Sequence, residues 1–240
     1  MGAKRPHVGR VRRCAVTQDM TDQKATDTMK TVLVDYDSGN LHSAQKAFER
    51  MAREVDGGNV IVSGLPEVIA QADRIVLPGD GAFPHCHAEL HGISGLAEAI
   101  IEAVQIRAVP FFGICVGMQM LATLGREYQD TPGFGWIDGT IDKITPNDAT
   151  MPVPHMGWND LAIDTPHPVL HGIETGDHAY FVHSYAMQVT DPAQRLAHCD
   201  YGGDVTAIVG RDNIIGAQFH PEKSQSAGLR MIANFLSWKP

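Results

Sequence analysis

The sequence predicts an α/β protein with a mostly parallel, open sheet that is flanked by helices and carries an antiparallel extension. Two observations support this prediction. Short apolar segments alternate with helical patterns over residues 31–124, and shorter strands and turns follow residue 130. Alternating strands and helices of this length form parallel sheets with helices on both faces. Functional loops of such sheets lie at the carboxyl ends of the strands.

The first half of the chain repeats strand and helix. Four strands are predicted from clusters of β-branched and apolar residues, at 31–35, 60–62, 74–77 and 109–114. Apolar residues at helical spacing follow residue 41, and Pro66 opens a short helix. A stripe from Leu90 to Val104 predicts one long helix, and another helix is predicted to include residues 119–124.

The second half predicts the antiparallel extension. Residues 205–209 and 214–219 form a hairpin pattern, and residues 226–238 have the spacing of a closing helix. The strand pattern begins directly after Met29-Lys30. We therefore predict one domain over residues 30–240, preceded by a disordered extension over residues 1–29.

Composition excludes several classes of protein. The 240 residues are 43% hydrophobic, which is enough for a sizeable core, and the formal net charge is -9. A negative surface repels phosphate backbones, so no nucleic-acid partner is expected. No apolar run reaches the roughly 20 residues of a membrane span. The four cysteines lack paired CxxC spacing, which predicts reduced thiols in a cytoplasmic protein without a metal site. No cofactor is predicted.

Cys115 stands where the fourth strand ends, with Gly113 and Gly117 two residues away on either side. This G-x-C-x-G pattern is typical of a nucleophile elbow, a turn so tight that only small neighbours fit and the thiol is pushed out above the sheet. A helix that begins near Val116 would point unpaired N–H groups at the sulfur, which favours the thiolate.

A base and its orienter follow about a hundred residues later. His220 can take or give a proton, and Glu222, which we expect Pro221 to hold extended, can orient the imidazole. A thiolate, an imidazole and a carboxylate in this combination suit acyl transfer. These residues alone leave peptide, ester and amide substrates open.

An oxyanion formed in such a reaction needs N–H donors aimed at it. One candidate is the N–H group of Val116, directly after the nucleophile. The others lie in a glycine-rich loop at a neighbouring strand end, Gly79-Asp80-Gly81, because glycines let a peptide face inward without a side-chain clash.

Six segments in this order resemble the class I, triad-type glutamine amidotransferases, and more narrowly the glutaminase subunits of imidazole glycerol phosphate synthase. These segments are residues 35–41, 78–83, 113–119, 154–159, 180–185 and 218–224. The elbow and the His-Pro-Glu run identify only the broad class. Ser-Gly-Asn-Leu, Pro-Gly-x-Gly-Ala-Phe and Pro-His-Met-Gly-Trp-Asn point to the narrower family. The resemblance implies the flavodoxin-like fold of that class.

The resemblance also implies roles for particular residues. Cys115 would attack the side-chain amide of L-glutamine, with His220 and Glu222 completing the triad. Four residues would hold the substrate, namely Gln119, Glu127, Ser184 and Tyr185. A peptide of the Gly79–Gly81 loop would flip to complete the oxyanion hole. Asp80 stands where family members often have an uncharged residue, so its carboxylate is expected to oppose the oxyanion unless it points to solvent.

The implied partner is a cyclase subunit, a (β/α)8 barrel that receives ammonia within a heterodimer and serves histidine biosynthesis. Trp158, Asn159 and Lys223 match positions that face this partner or the ammonia gate. Two alternatives remain open at this stage. One is the glutaminase of another synthase, such as that for anthranilate or pyridoxal phosphate. The other is a catalytically silent module that binds and regulates a partner.

Overall fold

The computed structural model describes residues 1–2 and 28–240. Most of the N-terminal extension predicted over residues 1–29 therefore lies outside the described residues. The first strand begins at Lys30, one residue before the predicted strand over 31–35.

The first half of the chain has the predicted alternation. Its strands are β1 (Lys30–Val34), β2 (Asn59–Ser63), β3 (Arg74–Gly79) and β4 (Phe111–Cys115). Its helices are α1 (Leu41–Val55), α2 (Pro66–Ile69), α3 (Phe83–Gly92) and α4 (Leu96–Ile101), and a short α5 (Val116–Gln119) follows β4.

The second half is dominated by short strands. These are β5 (Leu124–Gly125), β6 (Thr131–Pro132), β7 (Gly139–Lys143), β8 (His155–Asp160), β9 (Ala162–Ile163), β10 (His178–His183), β11 (Tyr185–Val189), β12 (Arg195–Asp200), β13 (Asp204–Arg211) and β14 (Ile214–Ala217). The last helix is α6 (Gln225–Ser237).

One eight-stranded sheet organises the fold, with the order β2-β1-β3-β4-β14-β13-β12-β9. It is parallel from β2 to β14, and β13, β12 and β9 add antiparallel strands at one side. Two smaller sheets pair β10 with β8 and join β11, β7, β5 and β6. The predicted parallel sheet with an antiparallel extension is therefore confirmed, including the β13–β14 hairpin.

Two predicted helices were wrong in extent. The stripe from Leu90 to Val104 is divided between α3 and α4, because the chain turns at Gly95, whose φ of +82° favours glycine. A π-helical turn over Glu102–Ile106 then ends this segment. The helix after Cys115 is only four residues long, and Leu124 lies in β5 instead.

The core packs the outer helices onto the sheet. Phe48 of α1 and Phe235 of α6 both contact Phe112 of β4, with ring centroids 6.2 and 5.3 Å apart, and all three side chains are fully buried. Aromatic side chains of this size contribute much of the hydrophobic stabilisation of a core. They fix β4, and therefore the residue at its carboxyl end, at the centre of the sheet.

Within the described residues, no helix combines the length and the apolar character needed to cross a membrane.

Candidate active site

Cys115 occupies a strained turn between β4 and α5. Its backbone φ and ψ angles are 55° and −110°, a conformation that residues other than glycine rarely adopt. A Cβ atom on Gly113 would lie 2.5 Å from the carbonyl oxygen of Gly117, and a Cβ on Gly117 would collide with the carbonyl of Leu77. The two glycines are therefore required sterically, and the local geometry is that of the predicted elbow.

His220 and Glu222 meet at the same edge of the sheet. The Nδ1 atom of His220 lies 3.0 Å from Oε1 of Glu222, and both side chains are almost fully buried. Burial disfavours the charged ring, but hydrogen bonding and charge interactions with Cys115 and Glu222 outweigh it and raise the pKa of His220 to about 9. Because Nδ1 faces the carboxylate, Nε2 is the ring atom left to face the sulfur.

The expectation that Pro221 holds Glu222 extended was wrong. Pro221–Lys223 forms a single 3-10 turn, while His220 itself is extended. The turn folds the Glu222 carboxylate back toward the imidazole two residues earlier. A proline at the first position of such a turn has the required φ and lacks an N–H group that would otherwise need a partner.

Ser224, for which the sequence predicts no role, lies directly behind His220. Its hydroxyl donates to the carbonyl of His220 over 2.7 Å and accepts from the N–H of Tyr180 over 2.9 Å. Ser224 therefore joins the histidine segment to β10. A small hydroxyl residue two positions after Glu222 was the only signal in the sequence.

Gln218 is a second residue that sequence reasoning missed. It is completely buried, and its Nε2 atom lies 3.7 Å from the Cys115 sulfur as a donor. Its Oε1 atom accepts from Nε2 of Gln119 over 3.1 Å. A donor directed at sulfur stabilises negative charge there. In the sequence, the only indication of this role was a polar residue at the end of an apolar strand.

The predicted oxyanion donors are not equally placed. Val116 is the first residue of α5, so its N–H group has no partner within that helix. The N–H of Asp80 instead donates to Oγ of Ser38 over 3.3 Å, and the Ser38 hydroxyl donates to the Asp80 carbonyl over 2.9 Å. The Asp80 peptide is therefore held by Ser38 rather than directed at the sulfur.

The Asp80 side chain is also bound to a neighbouring loop. Its Oδ1 atom accepts from the N–H of Gly39 over 3.0 Å, and the residue is exposed. Gly81 continues the loop with a φ of +98°, and no atom lies within 4 Å of the place where a Cβ would stand. The Asp80 carboxylate therefore faces a loop and solvent, an arrangement in which it does not oppose an oxyanion.

A pocket of about 300 Å³ opens above Cys115. Apart from Cys115 it is lined by Asp80, Gly81, Val116, Gln119, Glu127, Pro154, Val182, His183, Ser184, Tyr185 and His220. The structure therefore brings together all four residues predicted to bind substrate. Oε2 of Glu127 accepts from the N–H of Phe83 over 2.7 Å, which fixes the carboxylate beside the pocket. Gln119 is held by a bond from Nε2 to the Tyr185 carbonyl over 3.1 Å.

The three residues predicted to face a partner differ in exposure. Trp158 is 47% exposed on β8, and Lys223 is exposed beside the triad. The Asn159 side chain turns inward, where Nδ2 donates to the Asp200 carbonyl over 2.9 Å. Trp158 and Asn159 thus lie on opposite faces of the same strand.

No group of three or more metal-ligating side chains occurs in the part of the chain that the structure describes. Cys86, Cys115 and Cys199 are free thiols.

Comparison with known proteins agrees with this geometry. The glutamine amidotransferase class-I family matches residues 32–238. An imidazole glycerol phosphate synthase subunit HisH from Cereibacter sphaeroides is 68% identical over 212 residues, covering 88% of this chain and 100% of the relative. Proteins of the same name from Ruegeria pomeroyi and Rhodospirillum rubrum are 61% and 55% identical, with the same coverage.

Solved structures show the same fold at low identity. A crystal structure described as a glutamine amidotransferase superposes with a TM-score of 0.65 at 19% identity, covering 86% of this chain and 99% of the other. A glutamine amidotransferase from Thermotoga maritima gives a TM-score of 0.54 at 15% identity, covering 81% and 76%. From its family match and its relatives, the chain belongs to the class I glutamine amidotransferases, in the family of imidazole glycerol phosphate synthase HisH subunits.

Proposed function

We propose that this chain hydrolyses L-glutamine to glutamate and ammonia with Cys115 as nucleophile, and that it passes the ammonia to a cyclase subunit. The observation that carries the proposal is the arrangement of His220 between Cys115 and Glu222. The 3.0 Å bond to Glu222 orients the ring, and the raised pKa keeps it protonated near neutral pH.

The first half of the reaction forms a thioester. The Cys115 sulfur attacks the side-chain carbonyl carbon of glutamine, forming a C–S bond and a tetrahedral oxyanion. The imidazolium of His220 gives its proton to the amide nitrogen, the C–N bond breaks, and ammonia leaves. We assign the first oxyanion donor to the N–H of Val116, which has no partner within α5. A turn of the Gly79–Gly81 loop that frees the Asp80 N–H from Ser38 would supply a second donor.

The second half releases glutamate. Neutral His220 takes a proton from water, the resulting hydroxide adds to the thioester, and the C–S bond breaks. This returns the thiolate and the imidazolium to their starting states. Glu127 supplies negative charge for the substrate's α-ammonium group, while Gln119 and the backbone of Ser184 and Tyr185 supply hydrogen-bonding groups.

The relatives' name makes them subunits of a synthase, and we extend that assembly to this chain. Its partner would be a cyclase subunit with a (β/α)8 barrel, in a heterodimer that serves histidine biosynthesis in the cytoplasm. Met156 and Trp158 support a docking role for β8, because both are large apolar side chains exposed on one face of it, at 62% and 47%. Exposed apolar side chains that lie together mark interaction sites.

The deciding experiment measures glutamate release by the chain alone and with the cyclase subunit and its nucleotide ligand. We expect turnover in the complex, and loss of that turnover in Cys115→Ala. A glutamine-analogue electrophile should label Cys115 covalently. Persistent hydrolysis in Cys115→Ala would contradict the assignment of the nucleophile. Activation by an anthranilate or pyridoxal phosphate synthase partner instead would favour the alternative synthases, and a failure to label would favour a silent module.

A further inference from the structure

Two buried histidines lie directly opposite each other where β8 pairs with β10. His155 and His183 are register partners, and Nδ1 of His155 lies 3.1 Å from Nε2 of His183. The His155 ring stacks between Phe181 and Tyr201, with centroid distances of 4.7 and 3.9 Å. The mechanism above assigns no role to this pair, although His183 lines the pocket above Cys115.

The hydrogen-bonding partners fix the direction of every bond in this cluster. The Tyr185 carbonyl can only accept, so Nδ1 of His183, 2.9 Å away, carries a proton. With a neutral ring, Nε2 of His183 then accepts from Nδ1–H of His155. Nε2 of His155 in turn accepts from Nδ2 of Asn159 over 3.3 Å. Burial lowers the pKa of both histidines to about 4, in agreement with neutral rings.

The same carbonyl connects this chain of bonds to the nucleophile. The Tyr185 oxygen also accepts from Nε2 of Gln119 over 3.1 Å. Gln119 donates to Oε1 of Gln218, whose Nε2 lies 3.7 Å from the Cys115 sulfur. Hydrogen bonds therefore run without a gap from Asn159 on β8 to the Tyr185 carbonyl, and on to the sulfur.

We infer that His155 and His183 are positioning residues, which hold the Tyr185 carbonyl of the glutamine pocket in a fixed relation to strand β8. The inference rests on the proposed glutaminase function. Aligned donors polarise one another in a buried chain of this kind, and an unsatisfied group within it is costly. Losing one bond therefore affects the whole set.

The position of His155 and His183 also connects the outer face of β8 with the substrate pocket. Side chains alternate along β8, so His155 and Asn159 lie on the inner face while Met156 and Trp158 are exposed on the outer face. A partner that shifts β8 from outside would move His155, and through it the Tyr185 carbonyl. The pair therefore provides a direct physical route from the outer face of β8 to the substrate pocket.

The test is a double-mutant cycle in the intact complex with the cyclase subunit, with glutaminase kinetics as the readout. His155→Phe keeps the stacking on Phe181 and Tyr201 but removes both ring nitrogens. We expect the kcat/KM for glutamine to fall roughly 3- to 10-fold, mainly through KM, as for the loss of one hydrogen bond. His183→Asn keeps a donor near the position of Nδ1 for the Tyr185 carbonyl but places no atom at the position of Nε2, so the bond from His155 is lost. Because it breaks the same bond, it should lower kcat/KM by a similar 3- to 10-fold, and in its background His155→Phe should have no further effect.

His167→Phe is the matched control. His167 is a partly buried histidine that packs on Trp238 and accepts from the N–H of Val169, and it does not line the pocket. We expect it to lower Tm without changing kcat/KM. If His155→Phe has the same effect in both backgrounds, or none in the parent, the inference is wrong.

A second measurement separates this inference from the proposed function. Ring ¹⁵N NMR of the intact chain should find both histidines neutral, with the proton on Nδ1. A proton on Nε2 of either ring would overturn the inference even where the complex hydrolyses glutamine. Loss of hydrolysis in Cys115→Ala tests the nucleophile alone.

Discussion

Replacing Glu222 by Gln tests the assignment of the triad most directly, because it removes a charge while preserving shape. The carboxylate lies 3.0 Å from Nδ1 of His220 in a buried site. The rise in the pKa of His220 from 6.5 to about 9 corresponds to ~3 kcal/mol of preferential stabilisation of the protonated ring. In Glu222→Gln only the contribution of Cys115 opposes burial, so the pKa should fall by roughly one to two units.

Two assays measure the consequence. Because the folded state binds the His220 proton more tightly than the unfolded state does, the associated stability is complete below pH 6.5. It is lost as the pH rises through about 9. Urea unfolding of the parent at pH 6 and pH 9.5 should detect this loss, and Glu222→Gln should reduce it. The alkaline limb of the kcat/KM profile should lie near pH 9 in the parent and move to lower pH in the variant.

The rate should fall as well. Loss of the charge that orients and stabilises the imidazolium is expected to lower kcat by roughly 10²- to 10⁴-fold. Glu174→Gln is a suitable control, since Glu174 is an exposed carboxylate that does not line this pocket. If Glu222→Gln keeps kcat within twofold and leaves the alkaline limb in place, Glu222 does not orient His220 and the reasoning fails.

Three further variants test other parts of the site. Ser38→Ala removes the hydroxyl that accepts from the Asp80 N–H, so glutamate release by the isolated subunit should rise about 5-fold, as for the loss of that one hydrogen bond; an unchanged or lower rate would contradict a holding role. Gly117→Ala should yield little folded protein by circular dichroism, because its Cβ would collide with the Leu77 carbonyl, and a normally folded variant would refute this reading of the elbow. Trp158→Ala should weaken cyclase binding by at least 10-fold in calorimetry. Ile106→Ala, which truncates an exposed side chain of the π-helical turn Glu102–Ile106, should leave cyclase binding unchanged, and equal effects of the two variants would exclude β8 as the docking strand.

Much of the fold could be predicted from local patterns, because strands and helices leave different periodicities in the sequence. The misjudged helix from Leu90 to Val104 shows where this information ends. Its apolar stripe continues in phase through Gly95, and nothing in the spacing shows that the glycine adopts a positive φ. The short α5 has a related cause. Apolar residues 120–122 are buried, and periodicity alone does not separate a buried turn from a buried helix.

The residues of the candidate site also differ in how far the sequence predicts their roles. Cys115, His220 and Glu222 could be proposed as a triad because their chemistry is rare and their spacing is typical of an elbow and a histidine–carboxylate pair. Gln218 and Ser224 could not be assigned roles, since a buried glutamine and a buried serine are common and their partners lie far away in sequence. The Asp80 carboxylate looked unfavourable in the sequence. Its bond to the N–H of Gly39 depends on how two loops meet at the sheet edge.

The arrangement of the strands explains why residues a hundred positions apart form one site. β14 pairs in parallel with β4, and their register aligns Ala217 with Ile114. The chain therefore leaves β14 beside Cys115, and His220 lies three residues beyond the aligned pair. β14 keeps this place because the antiparallel β13 holds its other edge. The antiparallel extension is thus part of the active site's construction, and a substitution that loosens the β13–β14 hairpin should lower activity by displacing His220 even though it contacts no substrate.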